Sequence, residues 1–154
     1  MTVNLGEKIP DFTVPATGDK LIDWSRLRGW NVVIYFYPKD DTPGCTLEGQ
    51  DFRDHYESFK KSKTLVIGVS RDSLKSHDRF QCKYGLPFPL ASDEDESLCT
   101  LFGVVKMKNM YGKQVRGIER STFLIDRDGV LRREWRGVKV DGHVAEVLAA
   151  TQAL

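Results

Sequence analysis

The sequence contains a run of six apolar residues, Val32 to Tyr37, that stops at Pro38. Because proline has no amide hydrogen to give to a neighbouring strand, this run is predicted to be a β-strand that ends there. Apolar residues at helical spacing then predict a helix from about Cys45 to Lys61, and a second strand is predicted from Leu65 to Ser70. A strand, a helix and a strand in this order favour two parallel neighbouring strands, and therefore an α/β fold.

The rest of the chain continues to alternate helices and strands. The predicted elements are a helix from Ser73 to Tyr84 ended by Gly85, a short helix from Asp95 to Phe102, a polar loop from Lys106 to Glu119, a hairpin of strands Thr122 to Ile125 and Val130 to Trp135, and a last helix capped by Asp141. No repeat or flexible linker interrupts this series, so residues 1–154 are expected to form one domain. Parallel strands first and an antiparallel hairpin last describe a thioredoxin-like sheet.

Charge and composition exclude several kinds of partner. The chain has 23 Lys and Arg against 22 Asp and Glu, a formal net charge of +1, so no overall field attracts nucleic acid or a membrane surface. It opens without the basic and apolar segments of a leader peptide, and its apolar runs are too short to span a bilayer. A cytoplasmic protein with neither a nucleic-acid nor a membrane partner is therefore expected.

The three cysteines, at positions 45, 82 and 99, contain no CxxC pair. Their number and spacing fit neither a secreted disulfide framework, nor a zinc site, nor a thioredoxin-type disulfide reductase, so we expect no metal and no cofactor. Cys45 falls at the predicted start of a helix, where unpaired amides and the helix dipole favour a thiolate, and Thr42 can place its hydroxyl beside the sulfur. From these residues alone, a reactive Cys45 competes with a buried packing cysteine and with Thr42 as a simple helix cap.

The junction itself resembles a known active-site signature. The pattern Pro38-x-x-x-Thr42-x-x-Cys45 is similar to that of the peroxiredoxins, and the longer stretch FYPKDDTPGCT, residues 36–46, resembles their bacterioferritin-comigratory-protein subfamily, also called peroxiredoxin Q. Further similar segments follow in the same order along the chain: GEKIPDF at 6–12, GVSRD at 68–72, KYGLPFPL at 83–90 and RSTFLID at 120–126. The resemblance therefore covers most of the chain.

The resemblance implies a thioredoxin-like fold, in which a central mixed β-sheet is flanked by helices and carries an N-terminal β-hairpin extension. It implies a peroxidase site of Pro38, Thr42, Cys45 and Arg120, in which Cys45 is the peroxidatic cysteine that reduces hydrogen peroxide and alkyl hydroperoxides and becomes a sulfenic acid. Arg120 would hold the peroxide and favour the thiolate, whereas without the resemblance an ion pair with Glu119 would be expected. Recycling by thioredoxin or a similar dithiol reductant and a monomeric state are also implied.

The second cysteine of the cycle has to be identified separately. Many members of the subfamily carry it five residues after the first, but here that position is Gln50, which cannot form a disulfide. Others carry it on the helix after the second strand, where Cys82 lies, and helical geometry turns Cys82 toward solvent. We therefore expect Cys82 to be the resolving cysteine, and we expect local unwinding, because a disulfide needs its two Cα atoms within about 7 Å. Cys99 is expected to be a partly buried packing residue.

Two alternatives stay open at this point. In the first, Cys82 is incidental and an external thiol reduces the sulfenic acid in a one-cysteine cycle. In the second, the protein is a redox sensor that passes its oxidation to a partner protein. Both use Cys45 in the same way and differ only in what reduces it.

Overall fold

The computed structural model describes residues 2–154, and at position 110 the backbone alone. Its strands are β1 (Thr13–Ala16), β2 (Lys20–Asp23), β3 (Asn31–Phe36), β4 (Thr64–Ser70), β5 (Leu90–Ser92), β6 (Val105–Met110), β7 (Lys113–Ile118), β8 (Ser121–Ile125) and β9 (Leu131–Arg136). Its α-helices are α1 (Pro43–Asp54), α2 (Tyr56–Lys61), α3 (Leu74–Tyr84), α4 (Ser97–Leu101) and α5 (His143–Gln152). No helix in the described part of the chain has both the length and the apolar character needed to cross a membrane.

Seven of the strands form a central mixed sheet in the order β2-β1-β5-β4-β3-β8-β9. Strands β3 and β4 are parallel neighbours, as the strand–helix–strand order predicts, and β8 and β9 form the predicted antiparallel hairpin. Strands β1 and β2 form a hairpin near the N-terminus that joins the sheet beside β5. The predicted mixed sheet with an N-terminal hairpin is therefore confirmed.

Strand β3 separates two hydrophobic cores because all six of its residues are buried and successive side chains point to opposite faces of the sheet. On one face, Val32, Ile34 and Phe36 pack in a cluster with aromatic residues such as Phe102 and Phe123. On the other face, Val33, Tyr35 and Tyr37 pack in a cluster with side chains of the helices, Cys45, Phe52, Phe59 and Phe80 among them. Cys45 thus lies over the centre of the sheet, next to the strand that leads into its helix.

Two predicted helices differ from the observed ones. The single helix expected from about Cys45 to Lys61 is broken at His55, whose ring Nδ1 lies 2.8 Å from the carbonyl oxygen of Asp51 and so shares an acceptor of the helix ladder. The last helix is not capped by Asp141. Its N-cap is Gly142, which adopts a φ of 73°, so the chain enters the helix one residue later than expected.

The segment expected to be a polar loop, from Lys106 to Glu119, is instead an antiparallel two-stranded ribbon of β6 and β7. Tyr111 and Gly112 connect the strands with φ values of 53° and 77°, as a tight two-residue hairpin turn requires. The prediction was wrong because polar residues and glycines dominate the segment and most of its described side chains are exposed, so the short alternation Val105-Lys106-Met107-Lys108 does not mark a buried face.

Candidate active site

Cys45 is the third residue of α1, directly after the loop that leaves β3. Thr42 is the N-cap with an extended backbone, and Pro43 occupies the first helical position, where a missing amide hydrogen costs nothing. The first intrahelical bond runs from the Thr46 amide to the Thr42 carbonyl at 2.8 Å, so the amides of Gly44 and Cys45 lie in the unpaired first turn. The Cys45 side chain is only 2% exposed, at the positive end of a helix dipole.

Arg120 places a cation against this sulfur. It lies in the short link between β7 and β8, and its Nη2 is 3.3 Å from Cys45 Sγ. Its Nη1 donates to Oε1 of Glu48 at 2.7 Å, and the side chain is only 16% exposed. The guanidinium therefore pairs with Glu48 rather than with its sequence neighbour Glu119. The fold brings Cys45 and Arg120 into contact, as the resemblance implies.

Glu48 is the residue of this site that the sequence analysis missed. It is completely buried, and burial raises its pKa to about 7 in spite of the opposing influence of Arg120. Within the described residues its Oε2 has no hydrogen-bond partner. The available signal was its spacing, because a residue three positions after Cys45 lies on the same face of the helix.

Gly44 allows Arg120 to approach the helix start. A Cβ atom at position 44 would lie 3.2 Å from Arg120 Nη2, which is tighter than ordinary van der Waals contact. The glycine therefore keeps the space that the guanidinium occupies beside the sulfur.

Thr42 and Pro38 border the same junction. The Thr42 hydroxyl donates to the carbonyl of Lys39 at 2.8 Å, so its proton is directed away from the sulfur and its oxygen remains able to accept a hydrogen bond. Pro38 is partly buried and follows Tyr37, whose amide still bonds to the carbonyl of Val69 on the next strand. Strand β3 ends at Phe36, and the Tyr37 amide makes the last backbone bond to β4, so the pairing stops before Pro38, as predicted.

Comparison with known proteins identifies the family. Residues 5–134 match the profile of the AhpC/TSA family. Peroxiredoxin Bcp of Xanthomonas campestris pv. campestris is 60% identical over 122 residues, which cover 79% of this chain and 76% of the relative. Peroxiredoxin Bcp of Bacillus subtilis is 49% identical over 148 residues, which cover 96% of this chain and 94% of the relative. The chain belongs to the peroxiredoxins.

Solved structures agree with this assignment. The bacterioferritin comigratory protein of Xanthomonas campestris, studied for its alkyl peroxide reduction activity, is 52% identical with a TM-score of 0.89 over 92% of this chain and 90% of that one. A cysteine-to-serine mutant of PrxQ from Xylella fastidiosa is 43% identical with a TM-score of 0.94, over 99% of this chain and 98% of that one. This peroxiredoxin is therefore a peroxidase of the Bcp or PrxQ group, and its predicted thioredoxin-like fold is confirmed.

The other two cysteines of this peroxiredoxin have contrasting surroundings. Both are free thiols, as is Cys45. Cys82 is exposed on α3, as the helical geometry predicts. Cys99 is buried on α4, and burial together with the neighbouring carboxylate of Asp93 raises the pKa of its thiol far above the ordinary value. Of these two thiols, Cys82 is the one that solvent and another protein can reach.

A cluster of potential metal ligands, Asp40, Asp72 and His77, lies between the loop after β3 and the start of α3. Hydrogen bonds already occupy these groups. His77 Nδ1 is 2.7 Å from Asp40 Oδ2 and its Nε2 is 2.9 Å from the carbonyl oxygen of Ala91, while Asp72 Oδ2 accepts from the Asp40 amide at 2.9 Å and from Ser70. Because neither ring nitrogen is free to bind an ion, the cluster acts as a buried hydrogen-bond network that fixes the loop.

Proposed function

We propose that this peroxiredoxin reduces hydrogen peroxide and organic hydroperoxides with Cys45 as the peroxidatic cysteine. The observation that carries the proposal is the 3.3 Å contact between Cys45 Sγ and Arg120 Nη2 at the N-terminus of α1. A guanidinium and a helix N-terminus both stabilise a thiolate, which is the nucleophilic form of cysteine. The alkyl peroxide reduction studied in the Xanthomonas campestris relative supports the same substrate class.

In the first step the Cys45 thiolate attacks the terminal oxygen of the hydroperoxide. A sulfur–oxygen bond forms, the O–O bond breaks, and the leaving oxygen takes a proton to give water or an alcohol, while the sulfur is oxidised by two electrons to a sulfenic acid. Arg120 stabilises the negative charge that develops on the oxygens, because its fork of donors is always charged. The Thr42 oxygen, whose own proton is bonded to Lys39, accepts from the peroxide O–H and orients it.

Glu48 and Pro38 act indirectly in this scheme. Glu48 holds Nη1 of Arg120 at 2.7 Å, so that Nη2 remains directed at the sulfur. Pro38 ends the strand and sets the path of the loop that brings Thr42 to the helix start. Both residues keep the donors and the acceptor in place before the peroxide arrives.

In the second step Cys82 resolves the sulfenic acid. Its thiolate attacks the Cys45 sulfur, a disulfide forms, the S–O bond breaks, and hydroxide leaves with the proton of the Cys82 thiol as water. Cys82 is exposed and Cys99 is buried with a raised pKa, which favours Cys82. Since Cys45 is buried and Cys82 faces solvent, the chain has to unwind locally for the two sulfurs to meet.

Thioredoxin or a similar dithiol reductant then converts the disulfide back to two thiols and becomes oxidised itself. We propose that the protein works as a monomer in the cytoplasm, where a reducing thiol pool maintains free cysteines such as these. No residue of the site requires a cofactor for this chemistry, since the peroxide is the oxidant and the dithiol is the reductant.

The test is peroxide consumption driven by a thioredoxin system, measured for the wild type and for Cys45→Ser, Cys82→Ser and Cys99→Ser. We expect Cys45→Ser to abolish turnover, Cys82→Ser to complete one oxidation without recycling, and Cys99→Ser to behave as the wild type does. Full recycling by Cys82→Ser would exclude Cys82 as the resolving cysteine and favour a one-cysteine cycle. Peroxide consumption by Cys45→Ser at the wild-type rate would overturn the proposed function.

A further inference from the structure

Two consecutive carboxylates tie the loop before α1 to two different parts of α3. Asp40 Oδ2 accepts from His77 at 2.7 Å and from Ser76 at 2.8 Å, in the first half of the helix. Asp41 accepts from Nζ of Lys83 at 2.8 Å and from the hydroxyl of Tyr84 at 2.6 Å, in the last turn. A cleft of about 300 Å³ lies between these two attachment points, lined in part by Arg79 and Phe80.

The two attachments differ in how easily they open. The Asp40–His77 pair is almost completely removed from solvent, with side chains 4% and 0% exposed, so separating it would leave a polar group buried without a partner. The Asp41–Lys83 pair is 45% and 58% exposed, so water can replace each partner when the groups part. Movement of α3 away from the loop is therefore easiest at its C-terminal turn.

Cys82 lies on the part of α3 that the exposed attachment holds. It follows the buried anchor at His77 by five positions and comes directly before Lys83 and Tyr84. Asp41 comes directly before Thr42, the N-cap of the helix that carries Cys45. The Cys82 turn and the start of the Cys45 helix are thus held together through the side chain of Asp41.

The backbone at Asp41 is also in an unfavourable conformation. Its φ is 57°, in the left-handed region that residues other than glycine rarely adopt, and its bonds to Lys83 and Tyr84 help to keep it there. The bond to Lys83, followed by the bond to Tyr84, also holds the pKa of Asp41 below its ordinary value, so the carboxylate is charged at neutral pH.

We propose that Asp41 is a positioning residue that latches the Cys82 turn of α3 to the loop before α1, and that release of this latch limits the rate of Cys45–Cys82 disulfide formation. The proposal rests on the proposed function, because it concerns the step in which Cys82 attacks the sulfenic sulfur and water leaves. In the latched state Cys82 remains on its helix, and the sulfenic acid persists. A second hydroperoxide can then oxidise it to a sulfinic acid and leave as water or an alcohol.

The latch therefore determines how much of the Cys45 sulfenic acid becomes disulfide and how much becomes sulfinic acid. When the latch opens, the disulfide forms, and a dithiol reductant can reduce it back to two thiols. When the latch stays closed, formation of the sulfinic acid is favoured, and a dithiol reductant cannot reduce that acid. A weaker latch should give faster disulfide formation and less over-oxidation. The first reaction with peroxide should change little, because neither Lys83 nor Tyr84 contacts Cys45 or Arg120 among the described hydrogen bonds.

The test uses Tyr84→Phe, which removes one hydrogen bond of the latch and keeps the ring, and Asp41→Asn, which removes the charge and still tolerates a positive φ. The reduced proteins are mixed with one equivalent of hydrogen peroxide, quenched at successive times, and analysed by mass spectrometry for sulfenic acid and for the Cys45–Cys82 disulfide. The sulfinic acid is measured in a parallel series with excess peroxide. Asp19→Asn is the matched control, an exposed aspartate that also has a positive φ, 56°, and whose side chain makes no hydrogen bond among the described residues.

We expect both variants to form the disulfide faster than the wild type by about fivefold or more, as loss of a hydrogen bond to a charged group implies. The sulfinic fraction at excess peroxide should fall in the same variants, while Tyr84→Phe forms sulfenic acid at the wild-type rate and Asp19→Asn matches the wild type throughout. Disulfide formation at the wild-type rate, or more slowly, in both variants would overturn the latch. Failure of the proposed function would look different, because the wild type itself would then form no Cys45–Cys82 disulfide.

Discussion

Arg120 has two partners on one guanidinium, the Cys45 sulfur at 3.3 Å and the Glu48 carboxylate at 2.7 Å. The planar fork of arginine makes this possible, since its two terminal nitrogens point in fixed directions about 120° apart, whereas the ammonium of lysine is a single point charge. The contact with sulfur also depends on the absence of a side chain at position 44. The position of one cation is therefore set by a carboxylate on one side and a glycine on the other.

Replacement of Gly44 tests this arrangement directly. In Gly44→Ala the new methyl group would lie 3.2 Å from Arg120 Nη2, so the guanidinium has to shift by a few tenths of an ångström from its present position beside the sulfur. We expect the rate constant for sulfenic acid formation to fall about tenfold, because small misplacements of a catalytic group have large effects on rate. The free energy of unfolding should stay the same or rise, since alanine is a better helix former than glycine.

Gly49→Ala is the matched control on the same helix, because a Cβ there meets Leu86 at 3.5 Å and the Tyr35 hydroxyl at 3.8 Å, both ordinary contact distances. Stopped-flow mixing with hydrogen peroxide measures both variants, and chemical denaturation measures their stabilities. A Gly44→Ala rate within twofold of the wild type, or an equal loss in Gly49→Ala, would contradict the role assigned to Gly44.

The sequence predicted the polar residues of this site unequally well. Cys45 and Thr42 lie in one short segment whose local pattern indicates a helix start, so they could be singled out as candidates without the rest of the chain. Arg120 required the family resemblance, because it approaches Cys45 from 75 positions away in the sequence. Glu48 was missed because a glutamate on a helix is usually solvent-exposed, and only the fold shows that this one is buried against Arg120.

Helix α3 shows which parts of an element can be predicted from local sequence. The Ser73 side chain accepts from the Ser76 amide at 3.2 Å, and Gly85 ends the helix with a φ of 59°, so both predicted caps are confirmed. Caps act within one turn and are visible in the sequence. The attachments of α3 to Asp40 and Asp41 span about forty positions, and no local pattern marks them.

The two ends of α3 should respond differently to mutation. Ser73→Ala removes the N-cap acceptor and should lower the free energy of unfolding by about 1 kcal/mol. It should leave the rate of disulfide formation unchanged, because the buried pair of Asp40 and His77 lies between Ser73 and the turn that carries Cys82. Urea denaturation measures the first effect and quenched mass spectrometry the second. Faster disulfide formation in Ser73→Ala would mean that general loosening of α3, rather than its last turn, controls the step.

The whole molecule places the Cys45 sulfur and its charged partners on one side of the central sheet. Cys45 and Glu48 come from α1, and Arg120 comes from the link that leads into β8, so their contacts join two distant parts of the chain over a shared core. Such contacts exist only in the folded state. Any proton that the side chains in these contacts bind or release on folding therefore makes the free energy of unfolding depend on pH.

Glu48 makes this linkage measurable. Its pKa is raised from the ordinary 4.5 to about 7 by burial, so between these values the folded protein keeps a proton that the unfolded chain has lost. Stability therefore falls as pH rises through this window, by up to about 1.4 kcal/mol per pH unit and on the order of 3 kcal/mol in all. Glu48→Gln has no such proton, so we expect the wild type to lose stability relative to this variant from about pH 4.5 to about pH 7 and to run parallel to it above.

Urea denaturation of the reduced proteins across that range measures the difference. The loss of the Arg120 partner adds a constant offset to Glu48→Gln and does not change the slope, while the other titrating groups are common to both proteins. Glu57→Gln, which changes an exposed glutamate on α2, is the matched control and should follow the wild type at every pH. If the wild type and Glu48→Gln instead differ by the same amount throughout the window, Glu48 is charged in the folded state at acidic pH, and Arg120 rather than burial decides its ionisation.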